Sequence, residues 1–257
     1  MRIVIPMAGK SERFFRAGYE IPKMLLPVGN KRLIEAIVNL FDPSRDSYVF
    51  VVARTADEHF GISRFLKTLN ISSTIFTLPS HSLGPLYSLL AIAEYLPPDE
   101  EVIITYCDFL LQWKYHEFLA KVQEGEYDGG IPSFRGFHPA SLGTTYYAYL
   151  QVNEQNEFLE LREKMPFTEY RMQEHASTGT YYFKKWKYLT EYGQQIIDAK
   201  LKVGNEYYPS VLYNVMREHG KKILVFEVEK FICLGTPEDY EQYRFWRAVF
   251  LPEKKNI

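Results

Sequence analysis

The run Tyr48-Val49-Phe50-Val51-Val52 is apolar without a break and rich in β-branched residues. A strand on a half-solvated sheet alternates apolar and polar side chains, so an unbroken run reads as a strand covered on both faces. Ile3-Val4-Ile5, Ser73 to Thr77 and Val102 to Tyr106 read as three further strands. Between them lie helical stripes. Leu33, Ile34, Ile37, Val38 and Phe41 form one, Phe60, Phe65, Leu66 and Leu69 a second, and Leu86, Leu89, Leu90 and Ala93 a third. The third opens near Gly84-Pro85, with proline suited to a first helical turn. Strands alternating with helices predict βαβ units, hence an α/β fold with a mostly parallel sheet.

The pattern changes after about residue 128. Segments 128–134, 144–152, 157–162 and 178–183 read as strands, and 222–228 as another. Asp128-Gly129-Gly130 and Asn153 to Asn156 carry turn chemistry. Helices are expected at about 187–198, 206–219 and 237–248. No Pro/Gly/Ser-rich linker separates the halves, which predicts one domain over 1–257 with a smaller β-rich, lid-like lobe in its second half.

The chain has 257 residues, a net charge of −2, 46% apolar and 24% charged residues. These values exclude a disordered or fibrous chain, and a general nucleic-acid binder would need a basic excess. Cys107 and Cys233 are too few for a disulfide scaffold or zinc cluster. No apolar run approaches the ~20 residues that span a bilayer. The expectation is a soluble, cytoplasmic protein with no nucleic-acid partner and no membrane insertion. Aromatic residues make up 16% of the chain, enough to build a core or a cleft from flat amphipathic rings.

In a parallel α/β sheet, ligands bind beyond the carboxyl ends of the strands. Two segments sit there. Pro6 to Phe14, leading to Lys23, combines small residues at Ala8 and Gly9 with cations at Lys10, Arg13 and Lys23. Exposed N–H groups and a guanidinium fork can cradle a triphosphate, although P-loop spacing is absent; an ordinary basic loop reads equally well. Asp108 follows a strand directly. It suits Mg²⁺ held against substrate phosphates, or a cap on the next helix. Glu163-Lys164 follows another strand and is either an acceptor contact or a solvated pair. Gly179 in Ser177 to Tyr182 marks a close backbone approach or a bulge.

The order of these residues resembles the sugar-nucleotide pyrophosphorylase (nucleotidyltransferase) family. Ala8-Gly9 with Arg13 come first, then Pro22-Lys23 with Leu26-Pro27-Val28. Gly84-Pro85, Asp108, Glu163-Lys164, Thr178 to Phe183 and Gly235 to Asp239 follow in turn. The resemblance covers about residues 1–245. It implies a Rossmann-like sheet, with a nucleotide-binding half at about 1–127 and an acceptor-binding half at about 128–245. The implied reaction joins an NTP to a sugar 1-phosphate or similar phosphorylated molecule, with release of pyrophosphate, for surface polysaccharide or glycoconjugate synthesis. By resemblance, Arg13, Lys23 and Asp108 are catalytic and Asp108 holds Mg²⁺. Ala8, Gly9, Lys10, Gly84 and Pro85 meet the nucleotide. Glu163, Lys164, Gly179 and Glu206 meet the acceptor, with Lys164 on its phosphate.

The chain departs from the family pattern at three positions. Ser11 replaces a second glycine, Glu12 replaces a small hydroxyl residue, and Cys233 stands where many members carry a second metal-binding Asp. Either one carboxylate suffices, or another acid such as Glu206 substitutes, or activity is altered. A nucleotide-sugar-dependent glycosyltransferase and an inactive nucleotide-sugar-binding relative therefore stand as alternatives. Glycosyltransferases of that type usually pair two acids, and here the second position is Leu110. His138 and His175 read as structural or as phosphate donors, and Cys107 as packing. Tyr240, Tyr243, Phe245, Trp246 and Phe250 form either core or the face of a homo-oligomer.

Overall fold

The computed structural model describes residues 1–143 and 146–251. The chain opens with β1 (Arg2–Met7), a short α1 (Glu12–Arg16), a small hairpin of β2 (Pro27–Val28) and β3 (Lys31–Arg32), and α2 (Leu33–Val38). It continues through β4 (Ser47–Ala53), α3 (Arg54–Phe60), α4 (Ile62–Lys67), β5 (Ser73–Leu78), α5 (Pro85–Leu90) and β6 (Val102–Thr105). Then come β7 (Phe109–Gln112), α6 (Tyr115–Glu124), β8 (Gly129–Phe134), β9 (Ala148–Val152), β10 (Phe158–Glu163), β11 (His175–Ser177) and β12 (Thr180–Phe183). The last elements are α7 (Trp186–Asp198), α8 (Leu212–Glu218), β13 (Ile223–Glu227), β14 (Lys230–Cys233) and α9 (Pro237–Phe250).

Among the described residues one ten-stranded sheet runs in the order β10-β9-β11-β8-β12-β6-β1-β4-β5, with β13 parallel to β8. The strands β6, β1, β4 and β5 are mutually parallel. β12 runs against both β6 and β8, so β8 and β13 point the same way as β1. The sheet is mostly parallel and helices cover both faces. Alternate residues explain the unbroken apolar runs. Ile3, Ile5, Phe50, Val52 and Ile103 face a core shared with α2, α4 and α6. Val4, Val49, Val51, Val102 and Ile104 face a second core with α5, α7 and α8. The side chains of these central-strand residues are thus removed from water, and each buried aliphatic one contributes about 1.5–3 kcal/mol.

Four sequence expectations are corrected. Gly129 and Gly130 do not turn; they lie inside β8. A Cβ would stand 2.6 Å from the Tyr213 ring at Gly129 and 2.9 Å from the Phe118 ring at Gly130, so these glycines let aromatics pack on the strand. The helix expected across Phe60 to Leu69 is two helices, split where Gly61 takes φ +63°. The helix expected over 206–219 starts only at Leu212, because Tyr208 precedes Pro209 and stays extended. The strand placed at 144–152 begins at Ala148, and residues 144–145 lie outside the described residues.

Five strands, β2, β3, β7, β11 and β14, escaped the pattern. β7 pairs antiparallel with β14, which sets Cys233 opposite Phe109 and brings the following Leu234 N–H onto the Asp108 carbonyl at 2.8 Å. Thr236 then caps α9 by accepting from the Asp239 N–H at 3.1 Å. This return of the chain closes the far wall of the cavity described next.

Candidate active site

The loop after β1, the end of β6 and the entry to α5 meet around a cavity of about 490 Å³. This is the carboxyl edge of the parallel strands. Ala8, Gly9, Lys10, Arg13, Lys23, Gly84, Pro85, Asp108 and Glu206 all line it. The structure therefore gathers residues from four separate stretches of sequence.

The β1 loop is shaped by its backbone. Ser11, standing where the family pattern has glycine, takes φ +52°. That left-handed conformation is the one glycine adopts freely, which accounts for the family preference. Ser11 Oγ accepts from the Lys23 N–H at 3.3 Å and ties the two cationic stretches together. Glu12 is exposed and its carboxylate is occupied by Arg16 at 3.2 Å and Lys10 at 3.8 Å. The Arg13 side chain makes no ion pair or hydrogen bond among the described residues, so its guanidinium fork is available to an anion. Gly9 has open space where a Cβ would stand.

Lys23 Nζ bonds Asp108 Oδ2 at 2.6 Å. Burial opposes the ammonium, but the adjacent carboxylate outweighs it and holds the Lys23 pKa above its ordinary value. Lys23 is thus a permanent cation beside the Asp108 carboxylate. Among the described residues no cluster of three or more His, Cys, Asp and Glu side chains could hold a metal. Cys233 does not supply a second hard ligand. Its thiol is buried and pushed up by burial and by Asp239 and Asp108, so it stays neutral. A single carboxylate oxygen fits Mg²⁺, which accepts one or two carboxylates and takes substrate phosphates and water as its other ligands.

The acceptor-side residues arrive through a clasp. Gly84 has φ +88° and ψ 173°, a region open essentially to glycine alone. Its missing side chain admits Tyr207, whose N–H bonds the Leu83 carbonyl at 2.9 Å and whose carbonyl accepts from Leu86 N–H at 3.1 Å. The clasp places Glu206 and Tyr208 at the cavity. Tyr208 Oη bonds the Glu206 carboxylate and accepts from Lys164 Nζ at 2.5 Å. Lys164 sits 4.6 Å from the Tyr208 ring centroid and 3.9 Å from Glu206 Oε2. Glu163 Oε2 accepts from Ser210 Oγ at 2.5 Å, and burial raises its pKa. Lys164, Arg13, Tyr208, Tyr146 and the Thr236-Pro237-Glu238 turn line an adjoining cavity of about 700 Å³.

Gly179 stands apart from both cavities. At φ +86°, it clears the Tyr106 ring, which a Cβ would approach to 2.9 Å. Sequence reasoning passed over Tyr106 and Tyr208. Tyr106 carried a signal: it lies two residues before Asp108, on the same side of the emerging chain, and both line the cavity. His138 and His175 lie away from this wall and are buried. His138 Nε2 accepts from the Cys233 N–H at 3.1 Å, and His175 Nδ1 pairs with Ser133 Oγ at 2.9 Å.

A cationic cavity at the carboxyl edge of a Rossmann-like sheet is the layout of a nucleotide-handling α/β enzyme. The chain belongs to the MobA-like NTP transferase domain family, which matches residues 3–165. It is an enzyme of the nucleotidyltransferase class. Two solved structures share the fold. The nucleoside-diphosphate-sugar pyrophosphorylase from Vibrio cholerae RC9 superposes with a TM-score of 0.76 at 21% identity, over 94% of this chain and 98% of that one. A putative glucose-1-phosphate thymidylyltransferase from Bacillus anthracis, in complex with a sucrose, gives 0.72 at 15% identity, over 96% and 95%. No curated protein matches the chain. Among the described residues no helix is long and apolar enough to cross a membrane.

Proposed function

We propose that the protein couples an NTP to a phosphorylated sugar or similar small molecule, releasing pyrophosphate. The observation that carries this reading is that Arg13, Lys23, Asp108, Glu206 and Tyr208 line one cavity, with Lys164 on the adjoining one. An acceptor phosphate oxygen attacks the α-phosphorus. A P–O bond forms to it, the bond from the α-phosphorus to the bridging oxygen breaks, and pyrophosphate leaves with that electron pair. This chemistry calls for positioning and charge stabilisation rather than a protein nucleophile.

In this assignment residues of about 1–127 bind the nucleotide and those of about 128–245 the acceptor. Ala8, Gly9 and Lys10 let the triphosphate approach the backbone, and Gly84-Pro85 bounds the nucleoside. Arg13, free of internal partners, takes the leaving phosphates, and the permanent charge of Lys23 faces the reacting ones. Asp108 would hold Mg²⁺; when bound, the ion neutralises phosphate charge as it develops. Lys164 is held by Tyr208 and Glu206, which orients its ammonium toward the acceptor phosphate. The acceptor role of Gly179 is indirect, through the ring it clears.

A thermal-shift panel tests nucleotide binding. ATP, CTP, GTP, UTP and dTTP are compared with and without Mg²⁺. A ligand at ~100 times its Kd stabilises by about 2.7 kcal/mol, and each kcal/mol moves the Tm of a chain this size by roughly 2–4 °C. An Mg²⁺-dependent rise with one NTP is expected. A rise only with a nucleotide sugar favours the glycosyltransferase or the inactive nucleotide-sugar-binding relative.

A further inference from the structure

Tyr240 of α9 is buried in the core and Tyr243 packs against it, but the rest of the helix's aromatic set faces out. Phe245, Trp246, Val249, Phe250 and the adjoining Leu251 are 51–73% exposed, and Ile232 of β14 is 38% exposed. Trp246 and Phe250 stack with ring centroids 5.8 Å apart, and Phe245 meets Trp246 edge-on at 5.2 Å. Trp246, Phe250 and Leu251 also line a groove of about 370 Å³, together with Ile232 of β14.

The size of this patch can be set against what an interface needs. At about 200 Å² for a fully exposed aromatic side chain, the three rings leave roughly 370 Å² of apolar surface in water. Val249, Leu251 and Ile232 bring the patch to about 550 Å². That is the upper end of what a monomer leaves in water. Two such patches face to face remove about 1,100 Å² before any polar rim is counted. This clears the ~1,000 Å² expected of a specific interface. The chain does not supply its own cover, since residues 252–257 bring only Pro252 and Ile257 as apolar side chains.

We infer that α9 is the contact face of a two-fold symmetric dimer of this chain. An isologous interface needs a projection and a recess on the same surface. The stacked Trp246–Phe250 pair and the groove provide both. A two-fold axis across α9 runs the two helices antiparallel. The helix carries Glu238 and Glu241 in its first half and Arg244 and Arg247 in its second. Antiparallel pairing therefore sets each acidic half along the other copy's basic half. Charge also argues against a lipid surface, which selects an amphipathic helix with a basic excess. Residues 237–257 hold four acids and four bases. The inference does not depend on the transferase reading.

Sedimentation velocity of the ligand-free protein at about 50 µM tests it. The wild type should sediment as twice the 30.2 kDa chain. Phe245→Glu and Val249→Glu each place a carboxylate on the outer face of α9 and should sediment as single chains with unchanged circular dichroism. Leu201→Glu, at an exposed apolar residue off this patch, should stay dimeric. Iodide quenching gives a second readout that needs no disruptive change. The difference between the wild type and Trp246→Phe isolates the Trp246 emission, which should be shielded in the dimer. A wild type that sediments as a single chain overturns the inference, and its co-sedimentation with phosphatidylserine vesicles would assign the patch to a lipid surface instead. A dimer that survives both glutamate substitutions, or a Trp246 that iodide quenches freely within the dimer, places the interface elsewhere and overturns it as well.

Discussion

Gly84→Ala probes the clasp that joins the two sides of the site. At φ +88° and ψ 173° the backbone lies where an L-residue costs about 1–3 kcal/mol. The new Cβ would also stand 2.6 Å from the Tyr207 carbonyl oxygen and 2.7 Å from its nitrogen, far inside the 3.5–4.0 Å of a good contact. Backbone atoms cannot swing aside as a side chain does, so the Leu83–Tyr207 and Leu86–Tyr207 hydrogen bonds must yield. Two lost hydrogen bonds at about 1 kcal/mol each, added to the strain, give roughly 3–5 kcal/mol. Melting temperature should fall by roughly 6–20 °C. Pyrophosphate release, assayed well below that temperature, should fall further than the unfolded fraction explains, because Glu206 and Tyr208 lose their placement. Gly9→Ala is the matched control. It has open space and no positive φ, so stability should stay within about 0.5 kcal/mol while KM for the NTP rises as the methyl fills ligand space. Wild-type stability in Gly84→Ala, measured by urea titration, would refute the reasoning.

Further outcomes follow from the same geometry. Lys23→Ala and Asp108→Ala should each lower kcat for pyrophosphate release by about 10²–10³-fold, the scale of one lost charge-stabilising group; wild-type rates in either would exclude that residue from the chemistry. Cys233→Ser should keep kcat within about threefold, because a neutral buried thiol is no Mg²⁺ ligand; a hundredfold loss would assign the sulfur a role. Burial holds the His138 pKa down at about 4, against 6.5 in the unfolded chain. The unfolded state then binds the extra proton between those values, so stability is present above pH 6.5 and is lost as pH falls toward 4. At 1.36 kcal/mol per pH unit the loss is about 3 kcal/mol. His138→Gln keeps an acceptor for the Cys233 N–H and cannot titrate, so urea titrations from pH 7 to 4 should show a shallower decline in the variant. An unchanged slope would contradict the assignment.

The parallel core was legible because burial on both faces writes itself into composition: Tyr48 to Val52 can alternate cores only if every position is apolar. The site was partly legible for a related reason. Arg13, Lys23 and Asp108 are charged residues in the stretches that follow the parallel strands β1 and β6, where a ligand site is expected. What escaped depends on contacts distant in sequence. Gly129-Gly130 looks like a turn until Tyr213 and Phe118 are seen to need the space. β7 and β14 are four-residue strands whose evidence is each other. Tyr106 and Tyr208 are two among 20 tyrosines, and only the fold distinguishes them by setting them at the cavity. Ser11 shows the converse. It departs from the family residue and keeps the left-handed backbone that residue serves.

The most direct test of nucleotidyl transfer is a phosphorus NMR time course. Wild-type protein is incubated with Mg²⁺, the NTP that gives the largest thermal shift and a panel of sugar and polyol phosphates. The account predicts that pyrophosphate and a nucleoside diphosphate ester appear in equal amounts, and that neither appears with Lys23→Ala. Intact NTP throughout, alongside transfer from a nucleotide sugar with release of nucleoside diphosphate, would contradict it.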